Sequence, residues 1–241
     1  MALQFPKILE TVGTITGDRP AEVWRRHLAM SFAALSMGKQ EKVYHDAIAP
    51  IKDNAKALQR HANAFAAMVE DYEGGARFAD HLGDYHMELQ SSKVAQFGGE
   101  YFTPQGLAMA MASLAQDGGG ITTTMPEDRP LEVNEPACGS GRMVLAVASS
   151  LVDAGYDVHN MRATVADLSE SCYYMAYINL TLWAVPAIVR RMNTLSGEVF
   201  SQQKTPFYHM ARPARYSTNE PPKESPAKQS DDVQPVQLSL F

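Results

Sequence analysis

In the first part of the chain, apolar residues recur three and four positions apart, which is the spacing of one face of an α-helix. This pattern extends from about residue 18 to residue 92, and Pro20 stands where a first helix would begin. Pro50 should kink or divide the second helical run, and the pair Gly74 and Gly75 should end it. We therefore predict a small, all-helical bundle with methionine and aromatic side chains in its core.

Beyond about residue 98 the pattern is no longer that of a helical bundle, and helices alternate with short segments that indicate strands. Three strands are predicted, near residues 131–137, 163–167 and 187–192. The first leads into the small-residue sequence EPACGSG (Glu135–Gly141) and then into a helix, and the second ends on an acid, Asp167. Strand, glycine turn, helix and a following acid are typical of nucleotide-type sites. The alternative is that the turn serves packing alone and Asp167 only caps a helix.

Composition adds limits to this interpretation. The 241 residues are 45% hydrophobic and 20% charged, as in an ordinary globular protein. The net charge of -6 gives no support to unspecific attraction to nucleic acid. Cys138 and Cys172 match no metal-ligand spacing, and His81 and His86 do not share a helix face, so we predict no metal site. With neither a signal peptide nor a membrane-length apolar run, we expect a cytoplasmic protein with no membrane contact.

The sequences GEYFTP and EPACGSG resemble the adenine-specific DNA methyltransferases, especially the modification subunits of type I restriction systems and their phage and plasmid relatives. DHLGDYHMEL, DLSE, INLTLWAVPA and NTLSGEVF also occur in the family's order, so the resemblance covers roughly residues 78–208. It implies an α/β fold with a Rossmann-like domain that binds S-adenosylmethionine, and a role in DNA methylation and restriction-modification. By the same resemblance, the cofactor-binding residues are Tyr101, Phe102, Thr103, Pro104, Glu135, Pro136, Ala137, Gly139, Gly141, Asp167 and Asn193.

The family's catalytic motif is missing. It consists of Asn or Asp, two prolines and an aromatic residue, and its oxygens accept hydrogen bonds from the amino group of the flipped adenine. The comparable place holds only weak candidates for this role, Thr205, Pro206, Phe207 and Tyr208. The preceding SQQK is polar and does not indicate a buried strand. We therefore expect a truncated or remodelled sheet, whose open edge the N-terminal helices or a second copy of the chain would cover.

The last part of the chain is a polar, proline-rich run that should be disordered. It is followed by QLSLF, which resembles the short peptide by which bacterial replication and repair proteins dock on the sliding clamp. Gln would fix the register and the apolar residues would fill a preformed pocket, and the matching positions are Gln237, Leu238, Leu240 and Phe241. The alternative is a hydrophobic end without function. Because no segment is left for a target-recognition domain, the clamp or a partner subunit would have to bring the protein to DNA.

The sequence thus predicts three parts: a helical region (1–97), a methyltransferase-like cofactor-binding domain (98–211) and a disordered tail (212–241) that ends in a clamp-binding peptide. Three functions stay open. The first is an S-adenosylmethionine-dependent adenine DNA methyltransferase with a remodelled catalytic loop. The second is a catalytically inactive relative that keeps the cofactor pocket and acts in regulation or anti-restriction. The third, a methyltransferase for RNA or protein, is favoured by nothing in the chain.

Overall fold

The structure, a computed structural model, describes residues 3–91, 125–214 and 237–239. The predicted helical region is confirmed. Its helices are α1 (Phe5–Thr16), α2 (Pro20–Leu35), α3 (Glu41–Ile48), α4 (Ala55–Gly74) and α5 (His81–Ser91).

Local sequence explains where several of these helices begin and end. Gly17 ends α1 in the left-handed conformation (φ 78°), where its N–H donates to the carbonyl of Gly13 at 2.8 Å. Pro50 divides the second helical run as predicted, because it lies in a short 3-10 turn between α3 and α4. Asn54 then caps α4, since its side-chain oxygen accepts a hydrogen bond from the N–H of Ala57 at 3.0 Å.

The second half of the chain forms a mostly parallel sheet, which confirms the predicted α/β class. Its strands are β1 (Leu131–Glu135), β2 (Met161–Asp167), β3 (Ala187–Asn193), β4 (Glu198–Lys204) and β5 (Gln237–Ser239). Two helices connect the first three strands, α6 (Arg142–Asp153) between β1 and β2, and α7 (Glu170–Leu182) between β2 and β3. The spatial order is β4-β3-β2-β1-β5, and only β4 is antiparallel to its neighbour.

Strand β4 contains the polar sequence that did not indicate a buried strand. This sequence nevertheless forms a strand. As predicted, it is not a buried strand, because Gln203 is its only buried residue. An antiparallel strand at the edge of a sheet needs no apolar run, since water covers its outer face.

The other edge of the sheet is formed by β5. Gln237, Leu238 and Ser239 run parallel to β1 and pair with Glu132–Asn134. The backbone of the last part of the chain therefore covers the edge that we expected helices or a second copy to cover.

The helices and the sheet share one continuous hydrophobic core, which extends from Phe5 in α1 to Val189 in β3. Where α2 packs on α7, the ring centroid of Phe32 lies 4.7 Å from that of Tyr174 and 4.9 Å from that of Tyr177. The division at residue 97 stays a prediction. No helix in the described part of the chain is both long and apolar enough to cross a membrane.

Candidate cofactor site

Polar residues from three segments meet at the carboxyl edge of the parallel strands. Glu135 ends β1, Asp167 ends β2 and Asn193 ends β3. Hydrogen bonds tie the loops after these strands together. The hydroxyl of Thr194 donates to the carbonyl of Pro136 at 2.6 Å, and the N–H of Gly139 donates to Asp167 Oδ2 at 2.9 Å. The structure thus brings together the predicted site residues that follow β1, β2 and β3, at the edge where ligands of such sheets bind.

The glycine turn, Glu135–Gly141, has a backbone that requires glycine at two positions. Gly139 and Gly141 have φ angles of 53° and 89°, in the left-handed region. A Cβ atom on Gly141 would also lie 3.6 Å from the Cα of Ala176, so α6 begins in close contact with α7. The turn is anchored to the neighbouring strand by the N–H of Cys138, which donates to the carbonyl of Ala166 at 2.8 Å.

Asp167 accepts hydrogen bonds from the backbone on both sides of the site. Its Oδ2 accepts from Gly139 in the glycine turn, and its Oδ1 accepts from the N–H of Ser169 at 2.9 Å. Ser169 in turn caps α7, because its hydroxyl oxygen accepts from the N–H of Cys172 at 3.4 Å. The carboxylate therefore orients the turn and the start of α7 at once.

Glu135 is an unusual carboxyl group. Only 1% of the surface of Glu135 is exposed, and its Oε2 has no hydrogen-bond partner among the described residues. Burial raises the pKa of Glu135 to about 7, and the negative charge of Asp167 adds to this, against the opposing effect of a hydrogen bond from the backbone of Ala137. A ligand with a cationic group or a hydrogen-bond donor would give Oε2 of Glu135 a partner and so offset the cost of its burial.

S-adenosylmethionine fits this donor and acceptor set. It carries an ammonium group and ribose hydroxyls, which complement the two carboxyl groups of Glu135 and Asp167. On the rim of the site, Leu168 and Leu195 are 58% and 100% exposed and offer apolar contacts. The side-chain oxygen of Asn193 accepts from the backbone N–H groups of Leu195 and Ser196 at 3.1 and 3.3 Å and so shapes this rim. The predicted residues Tyr101, Phe102, Thr103 and Pro104 lie outside the described residues.

The weak catalytic candidates lie elsewhere. Thr205 is 3% exposed, and its hydroxyl donates to the carbonyl of Val185 at 2.9 Å and accepts from the N–H of Ala187 at 3.0 Å. These bonds hold Thr205 at the first residue of β3, whereas the cofactor edge lies at its last. The seven-residue length of β3 separates the two places by about 20 Å, at roughly 3.3 Å per residue.

The three residues after Thr205 also lie at the amino edge of the sheet, away from the cofactor edge. Pro206 is exposed, and Phe207 stacks on His159 with ring centroids 6.1 Å apart. The ring of Tyr208 lies 4.2 Å from Lys204 Nζ. The structure therefore does not bring this segment to the cofactor edge, because β4 returns antiparallel to β3 and carries it to the opposite end of the sheet.

A buried polar network beneath the glycine turn was not assigned a role from the sequence. Asp80, directly before α5, accepts from Arg142 Nε at 2.8 Å and from Asn179 Nδ2 at 2.8 Å, and also from the hydroxyl of Ser140. Tyr72 in α4 donates to the side-chain oxygen of Asn179. The sequence DHLGDYHMEL contains Asp80, but its spacing gives no sign that this residue meets a turn 60 positions further along.

Comparison with known proteins gives a family. No curated protein matches the chain. Among solved structures, one from Listeria monocytogenes, assigned to the class I S-adenosylmethionine-dependent methyltransferases, has 14% identity and a TM-score of 0.45, over 76% of this chain and 50% of that one. The methyltransferase subunit of a type I restriction-modification system from Streptococcus thermophilus has 21% identity and a TM-score of 0.38, over 70% and 38%.

The chain thus spans half or less of the length of these two solved chains. The model of the N-6 DNA methylase family matches residues 78–233, which is more than half of the chain. This protein belongs to the N-6 DNA methylase family.

Proposed function

We propose that the protein binds S-adenosylmethionine at the carboxyl edge of β1–β3 and serves adenine methylation of DNA. The observation that carries this proposal is the buried carboxyl group of Glu135, whose Oε2 has no hydrogen-bond partner among the described residues and which lies beside the glycine turn and Asp167. An acceptor of this kind, in a member of the N-6 DNA methylase family, calls for a donor-rich ligand.

Each residue of the site has a separate part in this proposal. Asp167 would hold the ribose hydroxyls, and Glu135 would accept a hydrogen bond from the ligand's polar end. The glycines of the turn allow the backbone to approach the ligand closely, and Asn193 shapes the loop beside the adenine ring. When bound, S-adenosylmethionine supplies a methyl group activated by its sulfonium. Tyr101, Phe102, Thr103 and Pro104 are proposed to complete the pocket.

Calorimetry tests the cofactor proposal. The wild-type protein should bind S-adenosylmethionine, and Asp167→Ala should weaken binding by about tenfold or more, because a charge-assisted hydrogen bond is worth about 1.5–3 kcal/mol. Asp153→Ala is the matched control, since this acid lies at the exposed end of α6 and should leave affinity unchanged. Absence of binding by the folded wild-type protein would refute the proposal.

A second function is favoured by the position of Thr205–Tyr208. Because this segment lies at the opposite end of the sheet from the cofactor edge, it would not receive the amino group of the adenine there, and the protein would act as a cofactor-binding regulatory or anti-restriction protein. Transfer of a tritiated methyl group to unmethylated DNA separates the two functions. Incorporation into adenine supports the methyltransferase, whereas cofactor binding without incorporation, with clamp and DNA both present, supports the regulatory protein.

We further propose that Gln237, Leu238, Leu240 and Phe241 dock on the bacterial sliding clamp. The clamp would hold a chain with a net charge of -6 close to DNA, where a short tether raises the effective concentration to about the millimolar range. Partner subunits or a homo-oligomer would be other means of reaching DNA.

A pull-down with purified clamp tests the docking proposal. Leu240→Ala combined with Phe241→Ala should abolish clamp binding and leave the melting temperature unchanged, because the two apolar anchors are lost. Ser239→Ala is the matched control and should still bind, since it removes no anchor. Clamp binding by the double variant at the wild-type level would contradict the assignment.

A further inference from the structure

Four hydrogen-bond donors converge on the buried carboxylate of Asp80, whose side chain is fully buried. The donors come from the first turn of α5, from the glycine turn with the start of α6, and from α7. They are Gly83 N–H (2.8 Å), Arg142 Nε (2.8 Å), Asn179 Nδ2 (2.8 Å) and the hydroxyl of Ser140. One acid from the helical region thus connects three elements of the molecule.

Two members of this network fix the same residue of the glycine turn. The hydroxyl of Ser140 donates to Asp80, and the carbonyl of Ser140 accepts from Asn179 Nδ2 at 2.8 Å. Ser140 is completely buried and stands between Gly139 and Gly141, which both have left-handed backbones. Glycine allows many conformations, so anchors outside the turn decide which one it adopts.

Arg142 links the start of α6 to the same acid. Its Nε donates to Asp80, and its Nη2 donates to Asp84 at 2.6 Å. Burial acts to lower the pKa of Arg142, but the charges of Asp80 and Asp84 outweigh this and the pKa is raised. A buried ion pair adds little net stability, because desolvation offsets most of the attraction. Stability alone is therefore a weak explanation for the pair of Arg142 and Asp80. Its directional hydrogen bonds suit a role in holding the start of α6 in one position relative to α5.

We infer that Asp80 is a positioning residue that sets the conformation of the glycine turn and thereby the affinity of the cofactor site. The path of contacts is continuous: Asp80 holds Ser140, the next residue back is Gly139, and Gly139 donates to Asp167 at 2.9 Å. On this account the helical region contributes to the cofactor site, because Asp80 fixes the glycine turn from outside it. The affinity part of this inference rests on the proposed function, and the conformation part does not.

The test compares Asp80→Asn with Leu28→Ala. The amide of Asn can accept from Gly83, but it loses the charge opposite Arg142 and places a donor against another donor. Leu28 is fully buried in α2, so Leu28→Ala lowers the melting temperature without touching the network. Amide hydrogen exchange and calorimetry with S-adenosylmethionine are measured on both variants at a temperature where both are folded.

In Asp80→Asn we expect faster exchange at Gly139 and Ser140 and an affinity lower by about tenfold or more, since small misplacements in a site are costly. Leu28→Ala should show neither change. If Asp80→Asn loses stability like the control but keeps wild-type affinity and wild-type exchange in the turn, the residue only stabilises the fold and the inference is overturned. If the wild-type protein binds no cofactor, the proposed function fails, and exchange at Gly139 and Ser140 still decides whether Asp80 positions the turn.

Ser140→Ala provides a second variant should Asp80→Asn not fold. It removes one donor to Asp80 and leaves the ion pair with Arg142 intact. We expect an affinity lower by several-fold and faster exchange at Gly139 with a nearly unchanged melting temperature. Wild-type affinity and exchange in Ser140→Ala would overturn the inference.

Discussion

Two histidines, His27 and His61, stack face to face in the core of the helical region. Their ring centroids are 5.7 Å apart, and neither ring has a hydrogen-bond partner among the described residues. Burial lowers the pKa of His27 to about 3, with a further effect from His61. Burial also lowers the pKa of His61 to about 4; Arg26 adds to this and Asp18 opposes it. Both side chains are therefore neutral in the folded protein at neutral pH.

This pair makes the stability of the helical region sensitive to acid. In the unfolded chain each histidine takes up a proton below a pKa of about 6.5. Protons thus bind the unfolded state preferentially between pH 6.5 and about 4, and stability falls as the pH is lowered through this window. Between pH 7 and pH 5 each histidine should cost about 2 kcal/mol of the free energy of unfolding.

Urea unfolding at pH 7 and pH 5 measures this loss. The double variant His27→Leu and His61→Leu should lose about 4 kcal/mol less than the wild-type protein over this interval. Glu135, whose pKa is raised to about 7, has the opposite pH dependence, but it is present in both proteins and cancels in the difference. His45→Gln is the control, because this histidine is exposed and should leave the loss unchanged. An equal loss in the wild-type protein and the double variant would contradict the assignment.

The first turn of α5 shows how an element is fixed by a contact that lies far away in sequence. A Cβ atom on Gly83 would lie 2.2 Å from Asp80 Oδ2 and 2.6 Å from the hydroxyl oxygen of Ser140. We expect Gly83→Ala to lower the free energy of unfolding by about 3 kcal/mol, because the buried network must move or break. Gly74→Ala is the matched control, since a Cβ there meets nothing within 4 Å and alanine favours a helix.

Thermal unfolding of the two variants checks this prediction. Gly83→Ala should melt several degrees below the wild-type protein, whereas Gly74→Ala should melt at the same temperature or slightly above it. Equal melting temperatures for the two variants would mean that the network tolerates a side chain at Gly83.

Elements with a local signal were predictable, and contacts between distant segments were not. The strands β1, β2 and β3 carry apolar residues at most of their buried positions, and Pro50 and Gly74 mark helix limits, so the pattern predicted each within a few residues. Strand β4 has no apolar run because it faces water, and hence the pattern gave no sign of it. The meeting of Asp80 with Ser140 follows from how α5 packs below the glycine turn, which no local spacing encodes.

At the scale of the whole molecule, the last part of the chain has two alternative partners, β1 and the proposed clamp. The backbone of Gln237–Ser239 pairs with β1, and the same residues belong to the proposed clamp-binding peptide. An extended peptide uses its backbone in either setting, so β1 and the clamp would compete for it. Strand β1 is buried on alternate residues and parallel to both neighbours, so its edge would be exposed to other chains if β5 left.

Deleting residues 237–241 should therefore promote self-association, because the N–H and C=O groups along one edge of β1 lose their partners and can pair with another chain. Sedimentation velocity at increasing protein concentration measures this, with larger species expected for the deletion than for the wild-type protein. The double variant Leu240→Ala and Phe241→Ala is the control, since it keeps Gln237–Ser239 and should sediment like the wild-type protein although it loses clamp binding. If the deletion and the double variant sediment alike, β5 does not protect the sheet against self-association.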